Sequence, residues 1–205
     1  MNQQWKDIEL NAKELNEDGL VFQNTFFDQN FVCDYSDKNT DQIIFSTHDR
    51  FEKVKAWDEG LDSSFANICE EMSPEQIEEH FNLSEKIDYL IGHQYELPSG
   101  GNIMFGKTDA LTAIDVNTGS AKRFDTNREA IQLIAKLIKL KNISGKVVID
   151  PVASDHNTLR KLVGMLKNEF RDDLSITNVY GYTRGGLLEL SRSRNDRSID
   201  ELNLN

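Results

Sequence analysis

The chain has 205 residues, enough for one sizeable core or a core with an appended lobe. With 38% apolar and 28% charged residues it reads as a soluble globular protein: no run nears the roughly 20 apolar residues that span a bilayer, and MNQQWKDIEL is no secretory signal. A net charge of −12 argues, taken whole, against a polyanionic partner.

Trp5, Ile8, Ala12 and Leu15 follow helical spacing and predict a helix over about 3–16. Asp18-Gly19 stops it, and LVF at 20–22 opens a strand. FVCDY fits a short strand or the start of a helix. Cys33 and Cys69 form no CxxC pair, which excludes a disulfide framework and a four-cysteine zinc site and fits a reducing cytoplasm. DQIIFST (41–47) predicts a strand and HDRFEKVKAW (48–57) a helix, while 58–73 carries no clear period. Ser73 at an N-cap, Pro74 in the first turn, and Glu75 and Glu78 near the positive end of the dipole predict another helix. Ser84 and Glu85 open a short one ending near Gly92. The acids from Glu70 to Asp88 are scattered over helix faces and read as surface charge.

After YELPSGG the pattern changes. NIMF and ALTAIDV are two strands joined by a GKTD turn. Asp125, Thr126 or Asn127 can cap a helix over about 127–141, whose broad apolar face suits a sheet. KVVID (146–150) reads as a buried parallel strand. A helix follows over 155–171, capped near Asp155 or Asn157, then two strands, SITNVYGYT and GLLELSR, split at Arg184-Gly185-Gly186. Residues 1–100 hold 22 acids and 7 bases, residues 101–205 hold 13 acids and 16 bases, so the second half is the one a polyanion can approach.

Strand, helix, strand in one sheet implies a right-handed crossover between parallel strands. Asp115 and Asp150 close those two strands, and ligands of open α/β sheets bind beyond such carboxyl ends. Two carboxylates on one rim are the usual protein share of a magnesium site, completed by waters and phosphate oxygens. Such an ion activates water at a phosphodiester. Asn117 points to the same face as Asp115 and can hold a water or a phosphate oxygen. An aspartate at a strand end also commonly caps the next turn. Basic residues near the rim are Lys122, Arg123, Arg128, Arg160, Lys161, Arg184, Arg192 and Arg194. Lys122, Arg123, Arg128, Arg160 and Arg184 are the candidate phosphate contacts, whereas Arg192 and Arg194 suit a solvated face equally well. Phe124, Tyr180 and Tyr182 can stack on bases, although packing is the commoner role for each. His156 can act as acid or base but falls in the first turn of a helix.

LPSGGNIMFGKTDALTAIDVNTG, DTNREAIQLIAKLIKLKNISGKVVID and YGYTRGGLLELSRSR together resemble the catalytic core of the ribonuclease E/G family, closely over 94–194 and more weakly over 5–93. The resemblance implies an α/β fold with a mixed sheet and flanking helices, described for that core as DNase I-like/RNase H-like. It implies an endoribonuclease that hydrolyses single-stranded RNA to 5′-phosphate and 3′-hydroxyl ends. Its two magnesium-binding aspartates fall on Asp115 and Asp150, with manganese able to substitute, and its assisting asparagine falls on Asn117. The family's oligonucleotide-binding barrel, 5′-phosphate pocket and zinc link have no counterpart in this sequence. The chain is therefore read as a truncated relative, with a homodimer or a separate RNA-binding partner left open.

The expected division is an acidic α/β lobe at 1–93, the catalytic core at 94–195 and a flexible tail at 196–205. The alternative is an RNA-binding or assembly subunit of weak catalysis, suggested by the missing barrel and the acidic first half. A small-molecule phosphatase is the third reading.

Overall fold

A computed structural model describes residues 3–14, 27–36, 40–59, 65–119, 123–152 and 154–202. The expected strand at 20–22 lies outside them. The chain divides into two compact units, 1–81 and 82–205, so the boundary falls earlier than the expected 93/94.

The first unit is mainly helical. It contains α1 (Gln3–Glu14), α2 (Phe27–Tyr35), β1 (Ile43–Phe45), α3 (His48–Glu59), β2 (Cys69–Glu71) and α4 (Pro74–Phe81). FVCDY is thus helical. β1 and β2 pair in parallel, and their small core gathers Val32, Phe45, Val54 and Cys69. β2 emerges from the stretch without period, being too short to show alternation. Ser73 caps α4 reciprocally with Gln76: its Oγ accepts from Gln76 N at 3.3 Å, and its own N donates to Gln76 Oε1 at 2.8 Å.

The second unit carries the larger core. After α5 (Leu83–Ile91) come β3 (Gln94–Glu96), β4 (Asn102–Lys107), β5 (Thr112–Asn117), α6 (Arg123–Leu140), β6 (Gly145–Asp150), α7 (His156–Glu169), β7 (Thr177–Tyr182) and β8 (Leu188–Arg192). The strands form one mixed sheet in the order β3-β4-β5-β6-β8-β7. Only β5 and β6 pair in parallel; every other pairing is antiparallel. This is the α/β class with flanking helices that the sequence implies.

Alternation explains how the sheet packs. Ile103, Phe105, Ile114, Val116, Val147, Ile149, Leu188 and Leu190 point to one face, where α6 brings Ile131, Ile134 and Ile138 and α7 brings Leu159, Leu162 and Leu166. The opposite face carries exposed Met104, Ala113, Asp115 and Asp150. β6 is consequently not buried on both sides, as its apolar run suggested: Val148 is only half-buried.

Three local corrections follow. α6 begins at Arg123, so Thr126 and Asn127 lie inside the helix and are buried rather than capping it. Arg192 is not solvated but 6% exposed. Its guanidinium donates to Asp173 at 2.8 and 3.0 Å, to Asn142 Oδ1 at 2.8 Å and to the Ile143 carbonyl at 3.1 Å. Of the expected flexible tail, residues 196–202 are described. A 3-10 turn, Ile199–Glu201, docks where Ile199 N donates to the Lys141 carbonyl at 3.0 Å. There Asp200 lies 3.6 Å from the buried Lys141 ammonium, and Glu201 lies 2.7 Å from Arg194 and 3.4 Å from Lys107.

Candidate active site

The site stands at the carboxyl ends of β5 and β6. Asp115 and Asp150 are direct register partners on parallel strands. Their side chains therefore share a face, on backbones about 4.8 Å apart. Both are exposed. Asn117, also exposed, lies two residues further along the same face. Its Nδ2 donates to Asp115 Oδ2 at 2.9 Å and to Asn102 Oδ1 at 3.3 Å, which orients the carboxylate from the hairpin side.

Beside these groups opens a cleft of about 530 Å³, lined by Asp115, Asn117, Asp150, Val152, Ser154 and Gly186 among others. Its walls are held by two devices that sequence reasoning missed. The first is Asn127, 1% exposed. Its Oδ1 accepts from Val152 N at 2.8 Å, and its Nδ2 donates to the Val152 carbonyl and to Ser154 Oγ, both at 3.0 Å. The turn that follows Asp150 is thereby fastened to α6. A polar residue within an apolar helical stripe was the available signal.

The second device is the contact between the SGG and NTG loops. A Cβ on Gly101 would collide with the Asn117 carbonyl oxygen, and one on Gly119 with the Gly100 carbonyl. Glycine at both positions lets the two backbones touch. Ser99 N also donates to Glu129 Oε2 of α6 at 2.9 Å, so the SGG loop is fixed to that helix.

Of the candidate phosphate contacts, Arg184 sits in the turn whose next residues, Gly185 and Gly186, line the cleft, and Arg160 follows the cleft residue Leu159. Both are exposed. Arg123 is exposed at the start of α6, and exposed Arg128 lies 3.9 Å from Asp125. Lys122 is outside the described residues. Phe124 is 38% exposed, with the Lys161 ammonium 5.9 Å from its ring centre. Tyr180 is exposed and hydrogen-bonded to Ser191 Oγ at 2.7 Å. The His156 ring lies 5.8 Å from that of Tyr182. Arg192 and Arg194 are engaged elsewhere.

Among the described residues no group of three or more His, Cys, Asp or Glu side chains is arranged to hold a metal. Two adjacent carboxylates nevertheless fit the donor set of a hard divalent cation that keeps several waters and takes its remaining oxygens from a phosphate.

The model of the Ribonuclease E/G family matches residues 1–195. The chain belongs to the ribonuclease E/G family. Ribonuclease E of Nostoc sp. (strain PCC 7120) is 28% identical over 98% of this chain and 31% of its own length. Ribonuclease E of Buchnera aphidicola is 29% identical over 97% of the chain and 23% of its own. Ribonuclease G of Escherichia coli (strain K12) is 27% identical over 85% of the chain and 38% of its own. This ribonuclease E/G family member thus spans about a third or less of the length of two of these relatives and under two fifths of the third. No described helix is long and apolar enough to cross a membrane.

Proposed function

We propose that this chain is a magnesium-dependent endoribonuclease that hydrolyses single-stranded RNA to 5′-phosphate and 3′-hydroxyl ends. The observation that carries the reading is the register pairing of Asp115 with Asp150 on one exposed face, with Asn117 bonded to the first. Family membership and the cleft beside the pair support it.

Asp115 and Asp150 would hold the cation, which supplies an activated water and offsets charge gathering on the phosphodiester. The amide of Asn117 holds the Asp115 carboxylate through its hydrogen bond to Oδ2. Asn127 fixes the turn after Asp150, so the second carboxylate does not drift from the first. Exposed Arg184 and Arg160 provide cations for the strand on either side of the cut. Both carboxylates are exposed among the described residues. The compartment we assign is the cytoplasm. A homodimer or a separate RNA-binding protein would add grip.

The test uses 5′-labelled single-stranded RNA with magnesium or with a chelator. The parent should cut only with metal, manganese should substitute, and the downstream product should be open to a 5′-phosphate-dependent exonuclease. Asp115→Asn should lower the rate at least about 100-fold while leaving the melting temperature near that of the parent. An unchanged rate in Asp115→Asn would overturn the assignment. Tight binding without products would instead make the chain an RNA-binding subunit.

A further inference from the structure

Beside the carboxylates the open face of the sheet carries a second feature. Side chains on this face form two rows across β4, β5 and β6. One row is Met104, Asp115, Asp150; the next is Gly106, Ala113, Val148. The first row ends in charge. The second has almost no side chain at its centre: one hydrogen atom at Gly106 and one methyl at Ala113. A Cβ added to Gly106 would meet nothing nearer than the Ala113 carbonyl at 3.8 Å. The result is a shallow, mainly apolar depression of about 460 Å³, bordered by Met104, Val148 and Leu187 and touching Asp115 and Asp150 directly. Met104 is 46% exposed.

We infer that this depression seats a nucleobase of the RNA, that of the nucleotide next to the phosphate held at Asp115 and Asp150. The inference rests on the proposed nuclease function. Three observations carry it. The floor spans three adjacent strands, about two strand spacings or roughly 10 Å, which is wide enough for a planar ring lying on the sheet. Met104 offers a polarizable thioether at its edge, and sulfur packs favourably against aromatic rings. Alternate residues of β6 on this face run Asp150, Val148, Lys146: cation-binding end, apolar wall, exposed cation. Lys146 lies about 13 Å from Asp150 along the strand, where it can meet the backbone leaving the base. A protein partner fits less well. The apolar patch is a handful of small side chains bounded by Asp115 and Asp150 and, beside Val148, by Glu189 of β8, far from the roughly 800 Å² per side of a stable interface.

The test needs no turnover. Five-nucleotide RNAs are bound by the full chain in calcium, with affinity read by fluorescence anisotropy. One has abasic riboses throughout; the others carry a single 2-aminopurine at one position. In the parent, the base should strengthen binding about ten-fold at one position, with a change in its emission. Ala113→Leu and Gly106→Val fill the floor. Both should lose the base-dependent gain and still bind the all-abasic strand as the parent does. Met104→Ala should lose part of the gain and covers the case in which a filled variant fails to fold. A parent that gains nothing from the base at any position overturns the subsite, as do filled variants that keep the full gain. If the gain is present but RNA is never cut, the nuclease reading falls and the base subsite stands. If RNA is cut without any gain, the reverse holds.

Discussion

Asn127 shows how one buried amide supports a site it does not touch. It bonds both backbone groups of Val152 and the Ser154 hydroxyl, in part-buried contacts. Asn127→Ala leaves Val152 N without its partner, while Ser154 Oγ still donates to the Val152 carbonyl at 2.6 Å; the lost pairing costs about 1–3 kcal/mol in a urea titration. It should also raise the magnesium concentration needed for half-maximal RNA cleavage, since the turn beyond Asp150 loses its anchor; an unchanged metal midpoint would reduce Asn127 to a stability role. Arg192 and Asp173 form a second buried device, at 5% and 3% side-chain exposure. Burial alone pushes the Asp173 carboxyl up, but hydrogen bonds from Arg192, Thr177 and Ser175 N outweigh it and hold it below the ordinary carboxylate range. A depressed carboxylate adds stability above its unfolded pKa, near 3.8, and loses it as pH falls through the folded value. The stability gap between the parent and Asp173→Asn should therefore be widest near pH 6–7 and shrink toward pH 3. Arg192→Ala, which strands the carboxylate, should cost about 3–5 kcal/mol at neutral pH. Asp115, Asp150 and Asn117 were readable in the sequence because each stands in a strand whose end is marked. Asn127 and Arg192 were not, because a polar letter in an apolar pattern does not say what it bonds to.

At the scale of elements, strong periodicity was legible and pairing was not. The hairpin of β4 and β5, the crossover helix α6 and the strand β6 follow from alternation and helical spacing, with α6 starting earlier than expected. β3 was missed: at three residues, with only Tyr95 buried between Gln94 and Glu96, it has no room to show a pattern. The closing strands were found, but not that β8, the later one, is inserted against β6. Nothing local encodes that choice, which is decided by which strand offers Leu188 and Leu190 to the core. The polar residues at the end of the chain serve as partners for Lys141, Lys107 and Arg194. The touching loops give the prediction that belongs here. Gly119→Ala drives a methyl into the Gly100 carbonyl, and backbone cannot step aside cheaply. We expect a loss of about 1–3 kcal/mol by chemical denaturation, with Asn117 and hence Asp115 displaced and cleavage slowed. Gly106→Ala, where nothing lies nearer than 3.8 Å, should stay within about 0.5 kcal/mol of the parent.

For the whole molecule the governing quantity is how charge is divided. Residues 1–81 carry 19 acids and 6 bases, while residues 82–205 carry 16 acids and 17 bases. The net charge of −12 is therefore almost entirely that of the first unit. On the proposed function, RNA would have to be held by local cations against an overall repulsive field, and the candidates are Arg123, Arg128, Arg160 and Arg184 on the second unit. Each phosphate neutralised on a single strand releases counterions and contributes about −0.7 to the slope of log K against log salt. Arg128 is partly engaged by Asp125. Three to four contacts then predict a slope of about −2 to −3 for a single-stranded oligonucleotide bound in calcium. Arg184→Ala should make it shallower by roughly 0.7 and weaken binding about equally on all sequences, because a phosphate contact carries no base information. A slope near zero would mean that RNA is not held through its phosphates. A slope as steep as −5 or beyond would mean that cations besides these four take part, with Lys146 on the open face and Lys161 on α7 the next to replace.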